Sequence, residues 1–179
     1  MRPIDPRLAE LIKAERLEEA AALAESLGDR AMEVDLLARM AVIAANRLRF
    51  TESLEHGIHA VRIARTMHDD VVLAAALDGV KTGYAYLGEI EKLTGVLTEL
   101  EPLLRRQNDR FRLHWAVFES AFAFIAAAQW EEALARIEAG AAFNRAAGYT
   151  IYEAWYAAHV GWVHRLRGDL PLAIDFGRR

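Results

Sequence analysis

The stretch RFRLHWAVFESAFAFIAAAQW, residues 110–130, decides how the chain is interpreted, because it is apolar on every side. Its composition predicts a single helix of roughly 18 residues, about 27 Å long at ~1.5 Å per residue. A surface helix has one apolar stripe and one polar face, but here only Glu119 and Ser120 interrupt the apolar residues in mid-helix. We therefore expect other helices to cover this one on more than one side.

Length, composition and charge restrict the class of protein. The 179 residues suit one domain or one continuous array, and the apolar share of 54% with 27% charged residues is typical of a soluble folded chain. A net charge of −4 gives no electrostatic case for direct nucleic-acid binding. The chain has no cysteine, and its longest uncharged run, residues 120–130, is too short to span a bilayer at ~20 residues. These features predict a cytoplasmic protein that does not bind membranes.

Local sequence signals predict helix after helix. Gly28-Asp29 ends one helix and begins the next, because glycine suits the left-handed C-terminal position and aspartate caps the following N-terminus. Thr51 is the predicted N-cap of a helix that runs to about Met67. No window shows a sustained alternation of apolar and polar residues, so we predict no strand.

The helix breaks recur at a fixed period. They fall at Gly28-Asp29, His68-Asp69, Asn108-Asp109 and Gly148-Tyr149, a constant step of 40 in the numbering, with intervening turns at Leu48, Gly88, Ala128 and Gly168. We call this step one repeat. Two helices per repeat predict an all-α solenoid of antiparallel helix pairs with about 4.5 repeats. We expect one domain over residues 1–179, with units at about 1–28, 29–68, 69–108, 109–148 and 149–179.

The segment Gly168-Asp169-Leu170-Pro171-Leu172-Ala173 resembles the tetratricopeptide repeat (TPR). The small residue of the second TPR helix then falls on Ala20, Ser53, Leu93, Ala133 and Ala173, and the close-packing site of the first helix on Ala41, Lys81, Ala121 and Gly161. Lys81 and Leu93 depart from the small-residue pattern. The resemblance implies a right-handed TPR-like solenoid. Its longer repeat is similar to repeat regions of large LuxR-type bacterial transcription regulators and of some cyclase-linked signalling proteins.

The resemblance also assigns a concave groove, which the first helix of each TPR pair lines. Carried over by position, the groove residues are Asp35, Ala38, Val42, Ala45 and Asn46; Ala75, Asp78, Thr82, Ala85 and Tyr86; Trp115, Phe118, Phe122, Ile125 and Ala126; and Trp155, Ala158, Trp162, Arg165 and Leu166. The groove thus begins with small and mildly acidic residues and ends in a wall of aromatic rings.

Two interpretations of the aromatic wall remain open. In the first, superhelical curvature or a following helix covers the rings, which are then ordinary core. In the second, the rings form a groove for a protein, a peptide or a small ligand, since aromatic residues are the usual interface anchors. The predicted binding residues are Trp115, Phe118, Phe122, Ile125, Trp155, Trp162 and Tyr86, with Arg165, Asp78 and Asn46 fixing a polar end. By resemblance, the function is an interaction scaffold or sensor module of a bacterial regulator. The alternative is a small-molecule (inducer) binding domain with an aromatic pocket.

The sequence offers little for catalysis or for a cofactor. His56-x2-His59 and His159-x4-His164 lack the third ligand that a metal site requires, and no glycine-rich phosphate loop is present. Glu119 is expected to face solvent or to pair with an arginine. We therefore predict no enzyme, no catalytic residue, no metal and no cofactor.

The end of the chain departs from the repeat. The last helix, from Leu170 to Arg179, has only about ten residues, and its apolar side chains have no following helix to pack on. We expect the sequence to be a fragment of a longer protein, with self-association through the open C-terminal end as a secondary expectation.

Overall fold

A computed structural model describes residues 4–178, apart from the side chain of residue 150, and no strand occurs in that range. The all-α prediction is confirmed. The elements in chain order are α1 (Pro6–Lys13), α2 (Leu17–Ser26), α3 (Arg30–Asn46), α4 (Phe50–Ala64), α5 (Asp70–Leu87), α6 (Ile90–Gln107), α7 (Arg110–Glu119), α8 (Ala121–Ala126), α9 (Trp130–Ala146), the 3-10 turn η1 (Thr150–Tyr152), α10 (Glu153–Arg167) and α11 (Leu170–Gly177).

The turns recur every half repeat with the same backbone conformation. A residue with positive φ, between 53° and 92°, stands at each turn: Gly28, Leu48, His68, Gly88, Asn108, Ala128, Gly148 and Gly168. The next helix or 3-10 turn begins shortly after each of them, as Arg30 does after Gly28. Glycine adopts this left-handed conformation without strain, whereas a residue such as Leu48 adopts it at a cost. The predicted break positions are therefore confirmed.

Aspartate caps several helices as predicted. The Asp29 carboxylate accepts from the Met32 N–H at 3.2 Å, and Asp109 accepts from the Arg112 N–H at 3.0 Å. The predicted Thr51 N-cap is wrong, because α4 begins at Phe50 with Arg49 as its N-cap. The left-handed residue Leu48 sets the start of α4, as Gly28 sets the start of α3, and this geometry overrides the capping preference of Thr51.

The opening stretch forms two helices instead of the single helix we predicted. The break falls at Ser120, whose hydroxyl donates to the Val117 carbonyl at 2.6 Å. A serine that bonds to a preceding carbonyl of its own helix competes with the helical backbone and bends helices. Ser120 nevertheless keeps right-handed helical dihedrals, with φ −62° and ψ −19°.

The chain divides into two compact units, with the boundary between Leu87 and Gly88. In the first unit, α1 packs on α2 and α2 on α3, while α3, α4 and α5 pack on one another. Small residues bring these helices close together. A methyl group added at Gly79 would lie 3.0 Å from the Cα atom of Ala38, and one added at Gly57 would lie 2.8 Å from the Cα atom of Val80.

In the second unit, α6 packs on α7 and α8, α9 packs on α7, α8 and α10, and α10 packs on α11. Helices therefore pack on their neighbours along the chain in both units, as a helical repeat requires. The small positions assigned to the second helices are fully buried at Ala20, Ser53, Leu93 and Ala133. The repeat register of the packing thus agrees with the turn spacing.

Candidate functional site

Aromatic rings meet within the second unit, between α7–α8 and η1–α10. We call this set the aromatic cluster; its members are Trp115, Phe118, Phe122, Tyr152, Trp155, Tyr156, His159 and Trp162. It contains five of the predicted groove residues: Trp115, Phe118, Phe122, Trp155 and Trp162. The repeat register therefore predicted correctly that rings one repeat apart in the sequence, such as Trp115 and Trp155, are neighbours in the structure.

Several ring pairs join the two sides of the cluster. Trp115 meets Trp155 with a centroid distance of 6.2 Å and an interplanar angle of 82°. Phe118 meets the His159 ring at 4.8 Å and 89°, and Phe122 meets Trp162 at 5.9 Å and 48°. The first two pairs have the edge-to-face geometry that aromatic rings prefer, so the cluster is a well-packed platform.

The rings differ in exposure. Phe118 and Phe122 are 1% and 8% exposed, so they belong to the core of the second unit and need no partner protein to bury them. Trp115 and Trp162 are half-buried, and Trp155 is 43% exposed. The interpretation of the wall as ordinary core thus describes Phe118 and Phe122, while Trp155 remains at the surface.

An exposed or half-buried stripe follows one face of α10. Trp155, His159, Trp162 and Leu166 recur at helical spacing, and none of them is fully buried. His159 donates from Nδ1 to the Trp155 carbonyl at 2.8 Å, since a carbonyl oxygen only accepts. Burial lowers the pKa of His159, and this hydrogen bond opposes the shift only in part. The ring is therefore neutral at pH 7, with its Nε2 atom as an acceptor. We call these four residues the α10 stripe.

The other predicted binding residues lie outside the cluster. Ile125 is half-buried on α8, and Arg165 is exposed near the end of α10. Tyr86, Asp78 and Asn46 belong to the first unit; Tyr86 stacks on Phe50 at 5.3 Å, Asp78 pairs with the buried Lys81 at 3.3 Å, and Asn46 is exposed. Joint binding of one ligand by Arg165, Asp78 and Asn46 stays a prediction.

A buried hydrogen bond beneath the cluster was missed by the sequence analysis. The His114 Nδ1 atom lies 2.8 Å from the Tyr156 hydroxyl, and both residues are buried. Burial raises the pKa of Tyr156, and the nearby carboxylates of Glu153 and Glu119 raise it further. Tyr156 therefore stays protonated. Glu119, expected to face solvent or pair with an arginine, is buried, so the first of these options is wrong.

His159 and His164, one of the two predicted histidine pairs, lie in different surroundings. Within residues 4–178, apart from the side chain of residue 150, no group of three or more metal-ligating side chains comes together. His159 belongs to the aromatic cluster, whereas His164 is buried and stacks on Phe176 at 5.6 Å. The two members of that pair thus have separate packing roles.

Two clefts open in the second unit away from the α10 stripe. The first cleft, of about 370 Å³, lies between α6, α8 and α9, and its lining includes Leu97, Glu101, Pro102, Arg105, Phe124 and Arg136. The second cleft, of about 300 Å³, lies between α9, α10 and α11, and its lining includes Ile137, Glu138, Arg145, Glu153, Tyr156 and Phe176. Neither lining contains any of the five predicted rings of the aromatic cluster.

No protein-family profile matches the chain, and no curated protein is similar enough to match it. In the part of the chain that the structure describes, no helix is both long and apolar enough to cross a bilayer.

Proposed function

We propose that the protein is a helical-repeat interaction module that binds a protein or peptide partner on the α10 stripe. The observation that carries the proposal is Trp155, a large ring that is 43% exposed although it contacts the rings of Trp115 and His159. Tryptophan is among the residue types most enriched in binding hot spots, and a ring fixed in advance loses little conformational freedom when it binds.

The form of the stripe suits an apolar partner segment. Trp155, Trp162 and Leu166 offer apolar surface along about three turns of α10. An amphipathic helix or an extended peptide can lay several apolar side chains along a surface of this length. Arg165 stands beside the stripe and would pair with an acidic residue at the edge of the partner. By the TPR resemblance, we place this module in the cytoplasmic signalling or transcription-regulating machinery of a bacterium.

Peptides selected from a phage-displayed library on the immobilised protein test the proposal. We expect selected peptides to carry apolar anchors and to bind Trp155→Ala about tenfold or more weakly than the unaltered protein. Val71→Ala, which truncates an exposed apolar residue on α5, serves as the matched control and should leave binding unchanged. Peptides that bind Trp155→Ala as tightly as the unaltered protein would overturn the proposal.

The small-molecule alternative gives a different result. An inducer domain requires an enclosed pocket around the rings, so selected peptides would not depend on Trp155, while small aromatic compounds would shift the melting temperature of the unaltered protein and of Val71→Ala but not of Trp155→Ala. Thermal shift assays with Trp155→Ala and Val71→Ala therefore separate the two functions.

Self-association is a second part of the proposed partnership. Across α11, Leu170–Gly177, no residue is buried, and Leu170, Leu172 and Ile174 are exposed. Sedimentation velocity over a hundredfold concentration range tests it. We expect a concentration-dependent dimer that Ile174→Asp abolishes; a monomer at every concentration would exclude this contact.

A further inference from the structure

The first cleft exists because one repeat interface is open where its counterpart in the first unit is closed. In the first unit, α4 meets α5 so closely that a methyl group added at Gly57 would clash with Val80, and one added at Gly83 would lie 2.7 Å from the Leu54 side chain. One repeat later, Leu97 and Ser120 stand at the positions of Gly57 and Val80. Ala123 and Thr94 stand at the positions of Gly83 and Leu54. All four residues line the first cleft.

The walls of the cleft are mainly apolar. Leu97, Pro102 and Phe124 supply apolar surface. The hydroxyl protons are already used within the helices, since Thr94 donates to the Ile90 carbonyl at 2.9 Å and Thr98 donates to the Thr94 carbonyl at 2.8 Å. The Ser120 hydroxyl donates to its own helix in the same way. An anionic ligand would therefore find its donors among the arginines.

Two arginines share one carboxylate at the mouth of the cleft. The Arg105 Nη2 atom lies 3.3 Å from Glu101 Oε2, and the Arg136 Nη2 atom lies 3.6 Å from Glu101 Oε1. Arg105 also lies over the Phe143 ring, with its Cζ atom 5.7 Å from the centroid. Each guanidinium has five N–H donors, so one carboxylate does not exhaust the donors of two arginines. The charged lining side chains carry one positive charge in excess.

The second cleft is an internal comparison, because it is the same repeat interface one repeat later. Arg145 stands at the position of Arg105, but two carboxylates accompany it: Glu138, with which it pairs closely, and Glu153 at 3.6 Å. The position of Glu101 is Ala141, and the position of Arg136 is Phe176. The second cleft thus has an excess of negative charge, and only the first is suited to an anion.

We propose that the first cleft binds a small carboxylic acid with an apolar body. The ligand carboxylate accepts from N–H groups of Arg105 and Arg136 that do not face Glu101, since the fork of a guanidinium group is well matched to a carboxylate. The apolar body packs on Leu97, Pro102 and Phe124. The cleft volume of about 370 Å³ is in the range of small-molecule sites. This site does not depend on the α10 stripe or on the function proposed for it.

Titration of the full chain with octanoate, followed by ¹H–¹⁵N correlation spectra and calorimetry, tests the proposal. We expect octanoate to shift the resonances of residues around the cleft and to bind at least about tenfold more tightly than the uncharged octanamide. Arg136→Gln should weaken octanoate binding about tenfold, while Lys92→Gln, which removes a charge from the exposed side of α6, should not.

Further variants keep the test decisive. Ala123→Phe fills the cleft and should abolish octanoate binding, with circular dichroism confirming that each variant folds. Trp155→Ala should bind octanoate normally, so a failure of the α10 stripe and a failure of the cleft are distinguishable.

Three results would overturn the proposal: no binding of octanoate to the unaltered protein at millimolar concentration, equal binding of octanamide, or equal binding by folded Arg136→Gln. Binding of the peptide acetyl-Ala-Ala-Leu without binding of octanoate would overturn the small-molecule assignment and place a peptide C-terminus in the cleft.

Discussion

The helix pairs α3–α5 and α7–α10 occupy equivalent places in the two units, yet they meet in opposite ways. Ala38 and Gly79 let α3 and α5 approach until their backbones nearly touch. The residues two repeats later are Phe118 and His159, whose rings stand between α7 and α10. The turns are equally spaced in both units, so the turns set the repeat while the side chains set the spacing between helices.

The same contrast extends one turn towards the N-terminus of these helices. The first unit has the apolar residues Val34 and Ala76 in its buried core. The second unit has His114 and Tyr156 at the equivalent positions, joined by a hydrogen bond of 2.8 Å. Wider spacing in the second unit thus admits larger and more polar side chains. Four predictions test this comparison, in order of decreasing effect.

Removal of the buried ring should have the largest effect. Phe118→Ala leaves a cavity between α7 and α10, and we expect it to lower the free energy of unfolding by about 3–5 kcal/mol. Chemical denaturation followed by circular dichroism measures the change. Phe111→Ala on the exposed side of α7 is the matched control and should cost less than about 1 kcal/mol. Equal losses of unfolding free energy in both variants would show that Phe118 does not hold α7 and α10 apart.

Addition of one methyl group should break the close approach in the first unit. Gly57→Ala places a Cβ atom 2.8 Å from the Val80 backbone, so we expect a loss of about 1–3 kcal/mol in the free energy of unfolding. Gly95→Ala is the control, because a Cβ atom there meets nothing within 4 Å and should stabilise α6 by about 0.5–1 kcal/mol. Stabilisation by both variants would contradict the packing described for α4 and α5.

Removal of the buried hydroxyl should have a smaller effect. Tyr156→Phe leaves the His114 Nδ1 atom without its tyrosine partner, at an expected cost of about 1–2 kcal/mol in the free energy of unfolding. Tyr149→Phe, at an exposed tyrosine, should be nearly neutral. The double variant His114→Leu with Tyr156→Phe imitates the apolar residues of the first unit and should recover part of the loss. A double variant less stable than Tyr156→Phe alone would argue against the equivalence of the two units.

The smallest effect is a pH dependence confined to the second unit. The pKa of His159 in the folded chain is below its ordinary value of 6.5, so the unfolded chain binds more protons between the two values. The free energy of unfolding should therefore fall as the pH drops below about 6.5 and should be level, as far as His159 is concerned, above it. His159→Gln should reduce this slope in urea titrations between about pH 5 and 8. An unchanged slope in His159→Gln would refute the contribution of His159.

The sequence allowed the repeat, the helical class and the grouping of five rings to be predicted. Glycine and aspartate at the turns carry a local signal, which is why those breaks were found. The N-cap prediction for Thr51 was wrong because the left-handed turn at Leu48 fixes the start of α4. The N-cap preference of threonine is too weak to move that start. The break falls at Ser120, whose hydroxyl bonds to the Val117 carbonyl, and helical periodicity does not reveal such a break.

The division of the rings into core and surface was not predictable in the same way. The burial of Phe118 depends on Tyr156 and His159, and neither residue carried a signal of its own. A comparison with Ala76 and Gly79, two repeats earlier, would have shown that small residues are replaced by rings at both places. The clefts depend on distances between helices, which are set by packing and not by sequence period.

The spacing of the left-handed residues also determines which deletions and duplications the fold can accept. Turns recur every half repeat, but the roles of the first and second helices alternate, so the packing pattern recurs only with each whole repeat. Deletion or duplication of one whole repeat would return every helix to its own role. A change of half a repeat would preserve every turn yet exchange the roles of all later helices, so that buried faces would meet solvent. The natural unit of growth for this protein is therefore the helix pair and not the single helix.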